Sequence, residues 1–302
     1  MTSASLPTVR ESYLSGLAIA IVGAVLFSAK AIVAKLIYRY QVDAVTLIAF
    51  RMMFSLPFFA VIAFWQSRSA PALDKGMLFK IMLLGLLGYY LSSFLDFLGL
   101  QYISAGLERL ILFLTPSFVL LISLVFLKKK ISPLEWLALS TAYAGTVLVF
   151  VHDVRLGGSN VMLGGGFVLG SAVSYAVYLL LSGELVRKVG AMRLVAYAMC
   201  VSSVACIAQF FLLRPVSLLV QPQAVYGLSL LNAVLCTVLP VFLTMIAVAR
   251  IGAPTASQAG MIGPVSTLFL GYAVLGEPVT GIQLAGTALV LAGIYLLSRK
   301  KT

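Results

Sequence analysis

The chain matches itself at one fixed displacement. Adding 148 to a position in the first half reaches its counterpart in the second: Pro116 leads to Pro264, Gly145 to Gly293, Ala144 to Ala292 and Gly16 to Gly164. Leu91, Phe94 and Leu95 lead to Leu239, Phe242 and Leu243, Ala24 and Val25 to Ala172 and Val173, and Ser55 to Ser203. No gap is needed from near one terminus to near the other. Apolar positions coincide by chance in a hydrophobic chain, so the shared prolines and glycines carry most of the weight. A gapless duplication allows only folds in which two copies of one helical or strand plan meet each other.

Composition fixes where the two copies fold. Of 302 residues, 62% are hydrophobic and 10% charged, with a mean hydropathy of +1.09. A soluble domain carries about 25% charge, so this chain cannot cover a water-facing surface and its principal partner is the lipid bilayer. A membrane-spanning helix needs about 20 mostly apolar residues. Ten segments qualify: 13–38, 42–65, 77–97, 102–127, 133–151, 162–184, 191–213, 224–249, 253–275 and 279–298. The chain thus divides into a tail (1–12), a first five-helix repeat (13–151), a second (162–298) and a short C-terminal tail (299–302). The first apolar run is too long for a signal peptide and contains Lys30, so it reads as a retained helix.

Loop charge sets orientation. With the N-terminus inside, 14 Lys and Arg fall in inner loops and tails, and only Arg39, Arg155 and Arg214 fall outside. The positive-inside rule therefore predicts both termini in the cytoplasm. The net charge of +12 is explained by these loops and calls for no nucleic-acid partner. Five helices per repeat is an odd number, so the second copy enters from the opposite side and the repeats are inverted. This all-α, ten-helix, N-in and C-in plan is the architecture of carriers with a midplane site between the repeats.

The order and spacing of several local marks resemble the EamA-type branch of the drug/metabolite transporter superfamily. These marks are Leu114-Thr-Pro-Ser117, Ile262-Gly-Pro-Val265, and Leu275-Gly-Glu-Pro278 followed by Gln283, Gly286 and Gly293. The first repeat departs from the pattern with Lys128-Lys-Lys130 at the corresponding turn. Within the branch the chain is most similar to bacterial inner-membrane exporters of amino acids, aromatic ones included. The resemblance implies a ten-helix basket around a central cavity, with helices five and ten at the periphery.

Charge within hydrocarbon costs roughly 2.5–3.5 kcal/mol per residue on insertion scales and so demands a reason. Lys30, Arg51, Asp96, Glu108 and Arg109 lie within or near the ends of the first four helices, all in the outer half. The displacement converts them to Tyr178, Met199, Thr244, Ala256 and Ser257, so the second repeat lacks these charges. Asp96, Glu108 and Arg109 are expected to form a gate or ion pair, with structural pairing the alternative. Phe27 and Lys30 share one helical face, as do Tyr175 and Tyr178, and these two stripes correspond by the displacement. Tyr89, Ser93 and Asp96 share a third face. Asn232, Ser257 and Gln258 add polar groups on helices eight and nine. The expected substrate-binding set is therefore Phe27, Lys30, Tyr89, Ser93, Tyr175, Tyr178, Asn232, Ser257 and Gln258. Such a wall suits a neutral or zwitterionic small molecule, and only Lys30 is expected at midplane depth, which disfavours a sugar phosphate.

Pro116 and Pro264 are expected to act as repeat-related hinges, with static kinks the alternative. Ser140/Ala144 and Ala288/Ala292 are spaced for close helix approach, read as packing within a monomer, with a dimer contact as the other outcome. Cys200, Cys206 and Cys236 lie in apolar runs and His152 is the lone histidine, so no metal site and no cofactor is expected. No phosphate loop or catalytic triad is present in the sequence. The expected activity is secondary or facilitated export of small metabolites. A sugar-phosphate or nucleotide-sugar exchanger is the main alternative, ahead of a channel or a membrane enzyme.

Overall fold

The computed structural model describes residues 9–299 apart from 70, 129–131 and 158. The described residues are helical nearly throughout. Helix α1 (Val9–Tyr38) and α2 (Ala44–Ser69) are followed by α3 (Lys75–Gly85), a π-helical stretch (Leu86–Leu91) and α4 (Ser92–Leu100), which form one continuous rod. Next come α5 (Ala105–Leu112), α6 (Thr115–Leu127), α7 (Pro133–Gly157), α8 (Ser159–Val189) and α9 (Ala191–Leu213). Then α10 (Gln223–Ala233), a second π stretch (Val234–Val238) and α11 (Leu239–Ala259) run together, kinked at Gly252 (φ 78°). Helix α12 (Ile262–Leu270), a third π stretch (Gly271–Leu275) and α13 (Gly281–Arg299) complete the chain.

Among the described residues, eight helical stretches are long and apolar enough to cross a membrane, and two shorter apolar ones, Ile262–Leu275 and Gly281–Leu296, follow. The ninth is short because it is broken like the fourth: a separate helical segment at 253–259, set off from the rest of α11 by the non-helical Gly252, is the counterpart of α5, and the chain breaks again at Gly260 and Met261 before α12. The first eight predicted segments overlap these eight stretches, and the last two, 253–275 and 279–298, overlap the two shorter helices.

The displacement of 148 reappears in the backbone. The π stretches at 86–91 and 234–238 occupy equivalent places in the two halves. The break between α5 and α6 at Phe113 and Leu114 corresponds, within one residue, to the break before α12. Pro116 therefore opens a new helix instead of interrupting one, a place where its missing N–H costs little. Packing repeats too: α1 lies along α10 and α11, as α8 lies along α3 and α4, while α2 pairs with α9 and α7 with α13 across the two copies.

Helices α7 and α13 cross at backbone contact. A Cβ at Gly293 would stand 2.6 Å from Ala138 O, and one at Gly145 would stand 2.5 Å from Gly286 O. The expected small-residue pairs Ser140/Ala144 and Ala288/Ala292 instead face outward. One residue is about 100° of helix rotation, which is the difference between Ala144 outside and Gly145 at the crossing. At one end of the bundle, Arg39 donates to Leu275 O (3.0 Å) and Arg214 meets Asp43 (3.2 Å). At the other, Arg250 donates to Ser15 (2.9 Å) and Arg193 to Pro71 O (2.9 Å).

Candidate functional site

The buried charges form one assembly. Lys30 Nζ lies 2.5 Å from Asp96 Oδ2 and 3.4 Å from Glu108 Oε1. Glu108 is wholly buried, and Lys30, Arg51, Asp96 and Arg109 are 3–6% exposed. The assembly alternates cations with aromatic faces. Arg109 sits 5.2 Å from the Phe27 ring and Lys30 5.5 Å from that same ring. Lys30 lies 5.3 Å from Phe97, and Arg51 lies 5.0 Å from Phe97. The order Arg109, Phe27, Lys30, Phe97, Arg51 makes a ladder of three cations and two rings across α5, α1, α4 and α2. Aromatic faces attract cations electrostatically even where water is excluded, which lets the three cations be buried close together.

Each arginine is fixed by a second-repeat threonine. Arg109 Nε donates to Thr267 Oγ1 (3.3 Å), whose proton goes to Gly263 O (3.1 Å). Arg51 Nε donates to Thr237 Oγ1 (2.9 Å), whose proton goes to Asn232 O (3.0 Å), five residues back as the π register dictates. Arg109 Nη2 also donates to Phe27 O (3.1 Å), and Asn232 Nδ2 reaches Lys30 O (3.4 Å). Second-repeat helices thus hold the charges that only the first repeat carries.

Some hydrogen-bonding capacity is unused. Both Glu108 oxygens, Asp96 Oδ1, Asn232 Oδ1 and Arg51 Nη1 are buried without a hydrogen-bond partner among the described residues. Unfilled buried donors and acceptors are costly; of these atoms Glu108 Oε1 faces the Lys30 ammonium at 3.4 Å. Three basic and two acidic side chains thus share one buried assembly.

The tyrosines gather separately. Tyr89 and Tyr178 hydroxyls are 3.1 Å apart, and Tyr175 stacks on Tyr178 with ring centroids 5.5 Å apart. Tyr89 and Asp96 are seven residues apart on one continuous rod, about 10 Å along its axis, so the aromatic cluster sits deeper than the ladder. The Phe27–Lys30 and Tyr175–Tyr178 stripes thus fall into two clusters and do not meet face to face. Nearby, Ser92 pairs with Ser171 (3.0 Å), while its neighbour Ser93 is half-buried. Ser257 and Gln258 have side chains outside the described residues. Thr237, Thr267 and Phe97 were not singled out by sequence, and Arg51 was marked there as a charge within hydrocarbon without a role. Their partners lie far along the chain, so no local spacing reveals them.

The Leu275-Gly-Glu-Pro278 mark has a structural role. Gly276 turns left-handed (φ 72°), and Glu277 accepts from Ala105 N at 3.2–3.3 Å, capping α5. A carboxylate at a helix N-terminus is favourable. It locks the turn after α12 to the helix bearing Glu108 and Arg109. Among the described residues no cluster of His, Cys, Asp and Glu could hold a metal ion.

Apolar spans enclosing an interlocked charge assembly, repeated in plan, define a multi-pass membrane protein built from two homologous halves. The chain belongs to the EamA-like transporter family, whose model matches it twice, over residues 14–151 and 162–299. It is 31% identical over 277 residues to an uncharacterized transporter of Bacillus subtilis (strain 168), YcbK, covering 88% of this chain and 87% of that protein. An uncharacterized transporter of Archaeoglobus fulgidus is 28% identical over 222 residues, covering 74% and 78%. A solved crystal structure superposes with a TM-score of 0.65 at 17% identity, covering 95% of this chain and 99% of that one, which shows the shared fold.

Proposed function

We propose that this EamA-family transporter exports small metabolites, namely aromatic or other neutral amino acids, across a bacterial inner membrane. It does so by alternating access, with ten helices in two inverted repeats and both termini inside. The observation that carries the reading is the Lys30–Asp96–Glu108 cluster. Both signs of charge stand together in a dry site, with unfilled acceptors for an ammonium and an unfilled donor for a carboxylate. The tyrosine cluster below supplies an aromatic surface for an apolar side chain. The basic inner loops support the orientation. Pro116 and Pro264, beside equivalent helix breaks, fit a hinge role.

Purified protein in liposomes preloaded with unlabelled aromatic amino acid is expected to take up labelled amino acid in saturable counterflow. Linear uptake, indifferent to internal substrate, would sink the carrier reading. A second reading, exchange of a sugar phosphate, is favoured by one observation: three cations converge on the ladder where sequence placed only Lys30 at midplane. The same liposomes loaded with inorganic phosphate and a labelled sugar phosphate decide between the two.

A further inference from the structure

The ladder is closed at one end and open at the other. Lys30 has two carboxylates beside it, and Arg109 uses Nε on Thr267 and Nη2 on a carbonyl. Arg51 has a hydroxyl at Nε, a ring face, and nothing at Nη1 among the described residues. Arg51 is 6% exposed and has no carboxylate within salt-bridge distance among the described residues. A buried cation without an anion is expensive, since removing one partner of a buried pair typically costs several kcal/mol. The Phe97 ring face and the Thr237 hydroxyl relieve part of this cost, and no carboxylate among the described residues stands close enough to pair with the guanidinium. The displacement turns Arg51 into Met199, so the second half carries no cation at the equivalent place.

We infer that Arg51 is an anion-binding residue, and that Nη1 receives the carboxylate of the transported solute between α2, Phe97 and the π stretch Val234–Val238. Thr237 holds Nε and so fixes the plane of the guanidinium, leaving the Nη1 edge to the ligand. Asn232, with a wholly buried and unfilled Oδ1 on the adjacent turn, is positioned to accept from the ammonium of the same molecule. An arginine suits this task because its planar fork pairs with a carboxylate in a fixed orientation. The bound carboxylate then stands as the counter-ion of Arg51. The inference deepens the amino-acid reading and rests on it for the identity of the carboxylate.

The test separates the two claims by using probes that each carry half of an aromatic amino acid. Melting of purified protein is followed with phenylpropanoate (carboxylate only), phenylethylamine (ammonium only) and a sugar phosphate. Wild type is expected to be stabilised saturably by phenylpropanoate. Arg51→Gln is expected to lose that response while keeping its response to phenylethylamine, which also shows that it is folded. Arg51→Lys is expected to bind phenylpropanoate about ten- to a hundredfold more weakly than wild type, as for loss of a charged hydrogen bond. Thr237→Val, which frees the guanidinium plane while keeping its charge, should weaken the same response and spare the amine. An unchanged phenylpropanoate response in Arg51→Gln, or none in wild type, overturns the inference. So does a response to sugar phosphate alone. Absence of amino-acid counterflow with the carboxylate response intact would overturn the amino-acid reading and leave the anion site standing.

Discussion

Lys30 is shared by two carboxylates, and what each contributes can be measured. Replacing Asp96 by Ala leaves the ammonium with Glu108 at 3.4 Å as its sole carboxylate within reach. Breaking a buried pair from one side costs about 3–5 kcal/mol, whereas exchanging both partners for apolar residues is often neutral. Asp96→Ala is therefore expected to lower the melting temperature sharply, and Lys30→Met combined with Asp96→Leu to recover much of the loss while abolishing transport. A double variant as unstable as the single one would show that the site is held by something other than this pair. Asp43 gives a second residue-scale outcome, outside the spans. Burial opposes its ionisation, but the Thr46 hydroxyl and Arg214 outweigh this, and its carboxyl is held below the usual range. A depressed folded value means that its contribution is present above the unfolded pKa, near 4, and fades as pH falls through the folded one. Asp43→Ala, which also removes the cap on Val45 N (2.9 Å), should cost about 1 kcal/mol at neutral pH. The difference from wild type should shrink on acidification below the unfolded pKa, as read by melting at pH 7 and at about pH 2–3.

At the scale of elements, how well each feature could be read from sequence followed its physics. Spans were legible because lipid demands long apolar runs. The α7–α13 pairing was legible in kind, since Gly145 and Gly293 already matched by displacement. The contact face was missed, because four-residue spacing fits several faces equally and Ser140/Ala144 differs from the true one by a single step of rotation. The π stretches were illegible: an extra backbone residue per turn leaves no compositional mark, yet it brings Thr237 to the carbonyl of Asn232 and within reach of Arg51. The turn after α6 shows the opposite case, where sequence divergence hides structural identity. Lys128 adopts φ 50°, the left-handed turn that Gly276 adopts at the equivalent place. A side chain there costs about 1–2 kcal/mol, so Lys128→Gly is expected to raise stability by a part of that, with transport unchanged. A lower melting temperature would mean that the lysine makes a compensating contact.

For the whole molecule, inversion of the repeats is the claim from which alternating access follows, and it depends on which end faces the cytoplasm. Contacts between helix ends group Arg39, Asp43, Arg214, Leu275 and Glu277 at one end, and Ser15, Pro71, Arg193 and Arg250 at the other. The basic residues favour the second end as the inner one. The charge ladder then lies toward the outside and the tyrosine cluster toward the inside. Solute leaving the cell would meet aromatic rings before charge. Single cysteines decide the matter. Cys206 and Cys236 are buried and Cys200 is partly so, and a background with all three replaced by alanine removes them from the count. In intact cells a membrane-impermeant maleimide is expected to label Ser217→Cys, exposed on the turn after α9, and to reach Ala72→Cys, exposed before α3, only after the membrane is opened. The reverse pattern would place the ladder at the cytoplasmic face and turn the proposed direction of entry around. Labelling of both positions in intact cells would mean that the two ends do not lie on opposite sides of the bilayer, and inversion would fail with it.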